Sequence, residues 1–216
     1  MRMRRKKHRE DRLEACSEYI VSDFSSYYND LKSTFPDRRN NELHIEIGCG
    51  KGKFINELAK KNPGINYIAF EKNLDVLVLA VEKTKNAGLS NLKYVAGDVS
   101  ALANVLSETR CSRIYINFCD PWKKSGHAKR RLTHSNFLNI YKNVLNSSGE
   151  IFFKTDNKNL FEFSLNSFSD FGLRLKNITL DLHNSNYEGN IMTEYETLFS
   201  EKGNPIYRCE AIFLDN

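Results

Sequence analysis

No two cysteines of this chain form a CxxC pair. The five, at positions 16, 49, 111, 119 and 209, are scattered singly, which argues against a disulfide framework or a zinc site and for a reducing cytoplasm. No apolar stretch approaches the roughly 18 residues of a membrane span. The basic start is not followed by an apolar segment, so a secretory signal is not expected either. Internal repeats and low-complexity runs are absent, which excludes a solenoid. With 216 residues, 40% hydrophobic and 27% charged, the chain has the composition of an ordinary globular protein with one substantial core.

Charge excess is also missing from most of the chain. MRMRRKKHRE holds six Lys/Arg and one Glu, and removing these from the totals leaves 26 basic and 26 acidic residues in balance. A second basic block, Lys123, Lys124, Lys129, Arg130 and Arg131, lies within that neutral body. Two basic patches on a neutral body point to a polyanion such as nucleic acid. Residues 1–10 taken alone read equally as a disordered solubilising tail.

After a helical or irregular lead-in over residues 11–40, apolar runs alternate with amphipathic segments. Strands are expected at 43–47, 67–71, 92–98, 113–120 and 149–156, with two more in LRLKNITLDL and IYRCEAIFL. Helices are expected at 53–61, from Asn73 to about Asn86, over roughly 99–108, from Ser135 to about Leu145, and over NLFEFSLNSFSDF. Such alternation implies a parallel α/β sheet with helices on both faces, and the two consecutive C-terminal strands suggest an antiparallel ending.

In open α/β sheets ligands bind beyond the carboxyl ends of the strands. The first expected strand carries Glu46 and runs into GCGKG (48–52), and the next four end at Glu71, Asp98, Asp120 and Asp156. Any one acid alone reads first as a helix cap, Asp98 and Asp156 especially. The whole row of acids reads as a site. GCGKG lacks the third glycine of GxGxxG, and a pyrophosphate beside Glu46, Glu71, Asp98 and Asp120 would be repelled. Lys51 and Lys53 are expected to face solvent. A cationic cofactor without phosphate fits better, and S-adenosylmethionine offers a sulfonium, an ammonium and a ribose diol. A methyltransferase is the reading these residues favour.

The stretch NFCDPWKKSGHAKRRL (117–132) adds a substrate to that reading. Asp120 is expected as the last side chain of its strand. Pro121 stiffens the exit, and Trp122 offers an aromatic face to a base. The five cations that follow suit phosphates, each contact steepening the log–log salt slope by roughly 0.7–0.9. The plainer possibility makes Trp122 a core anchor and the basic run a solvated loop.

EIGCGKG, the Glu71 strand, Gly97-Asp98, DPW with KRRL, KTDN (154–157) and TEYE (193–196) together resemble the bacterial tRNA (guanine-N7-)-methyltransferases over about residues 40–210. The resemblance implies the class I methyltransferase (Rossmann-like) fold, here a seven-stranded, mostly parallel sheet with an antiparallel C-terminal strand. It implies a methyltransferase domain at 41–216, behind a basic tail and lead-in helix at 1–40. The implied activity is methylation, with S-adenosylmethionine, of N7 of a guanine in the variable loop of tRNA. Glu46, Gly48, Gly50, Glu71, Asp98 and Asp120 fall on cofactor positions, and Asp120 also on the catalytic one. Lys124, Asp156, Thr193, Glu194, Tyr195 and Glu196 fall on substrate positions, and Gly126, His127, Ala128, Lys129, Arg130 and Arg131 on the RNA-interacting segment. Lys123 replaces the second proline of the usual DPWPKK, Ser125-Gly126 replace a Lys-Arg pair, and Cys119 stands where Pro or Ser is common. The loss of two cations shifts expected tRNA affinity towards the N-terminal tail.

N7 of guanine has an in-plane lone pair and no proton, so no strong base is required. Asp120 is expected to orient the guanine through its N1/N2 edge, Asp156 and Glu196 to contact base or ribose, and TEYE to act as a lid. Cys119 raises a cytosine-C5 chemistry, disfavoured because strand alternation would turn the thiol away from the face that bears Asp120. An amino-group methyltransferase and a non-catalytic RNA-binding protein of the same fold stay open as rivals, and a nicotinamide dehydrogenase is disfavoured by the acids. No metal is implied, nor an obligate protein partner; monomer and homodimer remain open.

Overall fold

Runs such as LHIEI form strands whose residues are buried on both sides, and the polar turns between them carry helix caps. The computed structural model describes residues 6–27, 29–105, 110–200 and 202–214. The chain divides into two units, Met1–Thr109 and Arg110–Asn216.

The first unit opens with α1 (Arg9–Glu14) and a lead-in of short 3₁₀ turns around the two-residue β1 (Ile20–Val21). There follow β2 (Glu42–Ile47), α2 (Lys53–Lys61), β3 (Ile65–Glu71), α3 (Leu74–Ala87) and β4 (Leu92–Ala96). The strands lie in the order β1-β4-β3-β2, all parallel. From Leu43 to Ile47 every residue of β2 is buried, including His44 and Glu46, as expected of a parallel strand. The ends of α3 follow from local chemistry. Asn73 caps its start by accepting the Asp75 N–H at 3.0 Å, and Gly88 ends it in the left-handed region. Its buried face holds Leu77, Val78, Ala80, Val81 and Thr84.

The second unit contains β5 (Cys111–Asn117), α4 (Ser135–Val144), β6 (Leu145–Thr155), α5 (Lys158–Asp170), β7 (Arg174–Thr179), α6 (Glu194–Ser200) and β8 (Tyr207–Ile212). The order is β5-β6-β8-β7, with β5 parallel to β6 and β8 antiparallel to both neighbours. The C-terminal strand therefore runs against the rest, as the sequence suggested. Among the described residues no helix is long and apolar enough to cross a membrane.

Four expectations need correction. An eighth strand, β1, is added to the seven, its two residues paired with Tyr94 and Val95 and too few to show a pattern. The expected helix at 99–108 is a 3₁₀ run over Val99–Asn104, and residues 106–109 lie outside the described ones. Helix α6 stands between the last two strands, where none was expected. Strand β5 stops at Asn117, because Phe118 adopts φ 52°. Asp120 therefore sits on a loop, and strand alternation cannot decide where Cys119 points.

Candidate active site

In the first unit, the loops after β2, β3 and β4 are joined side by side. The N–H groups of Gly48 and Cys49 both donate to the Phe70 carbonyl, at 2.8 and 3.0 Å, and that of Gly97 donates to the Glu71 carbonyl at 3.2 Å. The Glu71 carboxylate ties the turn further, accepting the Gly50 N–H at 3.0 Å and the Asn73 N–H at 2.8 Å. Three amides of the glycine loop are thus already engaged by protein acceptors. A pyrophosphate would need those amides, so the loop is not a phosphate cradle.

Space is available above it. A Cβ at Gly48 or Gly50 would meet no atom within 4 Å, and both residues have positive φ. Glu46 is buried at the end of β2, Glu71 closes β3 half-buried, and Asp98 is exposed just past β4. Asp98 also caps the 3₁₀ run after it, accepting the Ser100 N–H at 2.9 Å through Oδ1. Glu46, Gly48, Gly50, Glu71 and Asp98 therefore share one edge. Each Glu71 oxygen retains a lone pair beyond its backbone bond. The donor set is carboxylate and suits a cation bearing hydroxyls.

In the second unit the loop after β5 carries Asp120, which is exposed. The Phe118 N–H still pairs with the Lys154 carbonyl at 2.8 Å, so the loop leaves from the edge of the β5–β6 pair. Trp122 has φ 42°, again left-handed. Non-glycine residues held there mark a constrained turn. The half-buried Trp122 ring has the Arg130 guanidinium 5.0 Å from its centroid and the His127 ring edge-on at 5.8 Å. It is thus neither a core anchor nor a bare platform. Lys123, Lys124, Gly126, Lys129 and Arg130 are exposed, and residues 125–130 form a 3₁₀ turn that includes the half-buried His127 and Ala128. Arg131 turns back, donating to the carbonyls of Pro121 and Trp122, each at 3.1 Å.

Cys119 is half-buried, and burial, then the Asp120 charge, pushes its thiol up to about 12. At neutral pH it is a thiol, not the thiolate nucleophile that cytosine-C5 chemistry requires.

TEYE caps α6. The Thr193 hydroxyl accepts the Glu196 N–H at 2.9 Å, and the Glu196 carboxylate reaches back to the Thr193 N–H at 3.4 Å, a capping box. Glu196 is fully buried: its carboxylate takes Lys154 Nζ at 2.8 Å and Asn190 Nδ2 at 2.6 Å, with His183 Nε2 at 3.2 Å. Lys154 also donates to Asn190 Oδ1 and the Ile191 carbonyl, both at 3.0 Å. Glu194 is half-buried. Tyr195 is exposed and donates its hydroxyl to Asp156 at 3.2 Å. Burial, then Asp156, pushes that phenol up to about 12, which keeps it a donor. Its ring packs on Phe199 at 4.1 Å and on Phe118 at 5.1 Å. Asn157, not Asp156, caps α5, which leaves Asp156 to Tyr195.

Residue-level reading from sequence missed Lys154, Phe118, and the inward turn of Glu196 and Arg131. A lysine within the apolar run GEIFFKTD was the available signal, since a buried ammonium requires a buried partner. Among the described residues no group of three or more His, Cys, Asp or Glu is placed to hold a metal.

Solved structures share this fold. An antibiotic-related methyltransferase matches with TM-score 0.61 at 17% identity, covering 84% of this chain and 92% of that one. The 16S rRNA methyltransferase KamB matches with TM-score 0.60 at 15% identity, covering 84% and 93%. The profile of the family described as "Putative methyltransferase" matches residues 40–209, so fold and acid-bearing edge define a class I methyltransferase. Full-length relatives narrow the class. The tRNA (guanine-N(7)-)-methyltransferase of Clostridioides difficile (strain 630) is 50% identical, and that of Bacillus subtilis (strain 168) 48%, each over 98% of both chains. The chain belongs to the tRNA (guanine-N(7)-)-methyltransferase family.

Proposed function

We propose that this protein transfers a methyl group to N7 of a guanine in the variable loop of tRNA, with S-adenosylmethionine as donor. The observation that carries the donor assignment is the glycine loop whose amides are already bonded to Phe70 and Glu71, beside the carboxylates of Glu46, Glu71 and Asp98. Such a loop rejects phosphates and attracts a cation. When bound, the donor supplies a methyl group activated by a positive sulfur. Glu71 is assigned the ribose hydroxyls, Glu46 the negative potential facing the ammonium, and Asp98 a further cofactor contact, with Gly48 and Gly50 leaving room.

Asp120 is assigned the guanine. Its carboxylate accepts from the N1 and N2 hydrogens, which turns N7 to the methyl, and it stabilises the positive charge that grows on the purine. Because N7 carries no proton, no residue has to remove one, and the protonated thiol of Cys119 is no obstacle. Lys123, Lys124, Lys129 and Arg130 meet phosphates, while Asp156 and Tyr195 border the substrate. Glu196 serves from the interior by holding α6. Residues 1–40 act as a basic lead-in that adds to tRNA affinity. Five free thiols support a reducing cytoplasm, and the chain works as a monomer or homodimer without an obligate partner.

The test is to incubate the protein with labelled S-adenosylmethionine and unmodified tRNA, then treat the product with borohydride and aniline. Scission at one variable-loop guanine is expected. Label without scission would place the methyl on an amine or a pyrimidine carbon, and no label would leave an RNA-binding protein.

A further inference from the structure

Arg131 ends the segment whose resemblance implies RNA contact, yet its guanidinium faces the protein. Nε donates to the Pro121 carbonyl and one terminal nitrogen to the Trp122 carbonyl, both at 3.1 Å. The group lies over the Phe163 ring of α5, 4.4 Å from its centroid. The backbone at the other end of this side chain is fixed, since the Arg131 N–H donates to the Ala128 carbonyl at 3.0 Å and its carbonyl accepts the His134 N–H at 2.9 Å. Just beyond, buried Thr133 meets Ser164 of α5 at 2.8 Å, and its carbonyl accepts the Ser167 hydroxyl at 2.6 Å. Arg131 is therefore a strut from α5 to the two peptide carbonyls that directly follow Asp120.

The turn it holds is one the chain does not favour. Phe118 and Trp122, on either side of Asp120, both have positive φ. Left-handed backbone at residues with side chains persists only where the surroundings enforce it. Here the surroundings include a planar fork that spans two carbonyls and stacks on an aromatic ring, a combination lysine cannot reproduce. Lys129 and Arg130, by contrast, are exposed.

We propose that Arg131 is a positioning residue that sets the Asp120 loop, and not a phosphate contact. The proposal rests on the reading that Asp120 meets the guanine. Since Trp122 is the only tryptophan in the chain, its fluorescence reports the loop without any turnover. Arg131→Lys keeps the charge and removes the fork. It is expected to shift Trp122 emission, increase quenching by acrylamide, and lower kcat by about a hundredfold through misplacement of Asp120. KM for tRNA and the salt slope of binding should stay close to wild type. Lys129→Ala is the contrasting case, expected to reduce that slope by roughly 0.7–0.9 and leave Trp122 unchanged.

Phe163→Leu removes the ring that lies beneath the guanidinium and beside the His134 ring, and it should shift Trp122 in the same sense, with a smaller loss of kcat. If Trp122 is unmoved in both Arg131→Lys and Phe163→Leu, or if Arg131→Ala lowers the salt slope as Lys129→Ala does, the strut is wrong. If Trp122 responds as expected but wild type leaves guanine N7 unmethylated, the strut stands and the catalytic reading falls.

Discussion

Gly52 shows how much one missing Cβ decides. With φ 77°, an added Cβ would lie 2.7 Å from Ala80 Cβ and 3.0 Å from both Ala80 Cα and Asn56 Nδ2. The glycine lets the start of α2 approach α3, where Asn56, Thr84 and Tyr94 form a closed buried network with bonds of 2.8–2.9 Å. Gly52→Ala is expected to cost about 1–3 kcal/mol, read from denaturant melts, because both backbone and neighbour resist the methyl. Gly50→Ala meets open space, so calorimetry should find weakened S-adenosylmethionine binding with a smaller loss of stability. The motif GCGKG was plain in the sequence, but the need for its last glycine lay in a helix 28 residues away. Cys119 makes a second residue-scale case. With its thiol pushed up to about 12, alkylation by iodoacetamide should be slow at pH 8 and accelerate only as pH nears that value. Cys119→Ser should retain methyl transfer, and a complete loss would restore the thiolate mechanism.

At the scale of elements, α6 depends on ions it does not expose. Removing Lys154 leaves the Glu196 carboxylate buried without its cation, so Lys154→Met is expected to cost about 3–5 kcal/mol. Replacing both, as Lys154→Met/Glu196→Met, should recover much of that loss, and a double-mutant cycle would measure the coupling. If Lys154→Met melts like wild type, the pair does not hold α6. The helix was hidden because seven residues give little periodicity, and TEYE satisfied a cap as readily as a lid. The longer elements were legible: α2 spans the expected 53–61, and α3 starts where Asn73 predicts. β5 was overread by three residues, because nothing in FCD announces that phenylalanine will turn left-handed.

At the scale of the molecule, the basic start of the chain divides into two kinds of charge. Arg12 is engaged by Glu82 at 2.6 Å, and Arg9 by Asp75 at 3.2 Å, which fastens α1 to α3. The Arg12 hydrogen bond holds the Glu82 carboxyl below its usual range despite partial burial. A lowered folded value means this stabilisation is present above the unfolded carboxyl range and fades as pH falls through the folded one. Arg12→Ala is therefore expected to cost a few tenths to about 1 kcal/mol at neutral pH, the difference from wild type fading as pH falls below the usual carboxylate range. Its tRNA salt slope should be unchanged. Deleting residues 1–5, which removes Arg2, Arg4 and Arg5, should instead lower that slope by up to about 2–3 in filter-binding titrations.

Composition and periodicity by themselves determined the alternation of strands and helices, the carboxylates Glu46, Glu71 and Asp98 about the ends of β2, β3 and β4, and the basic run after Asp120. These are local properties: burial on both faces demands apolar runs, and an acid or a base is visible in the sequence wherever it stands. Only the tertiary structure decided which charges face outward. Arg130 and Arg131 are neighbours of one type, yet one lies exposed over Trp122 and the other holds the peptide groups behind Asp120. Glu194 and Glu196 differ in the same way, the second being fully buried on Lys154. The direction of a long charged side chain is set by acceptors and rings brought near it from distant parts of the chain, and sequence spacing carries no record of them.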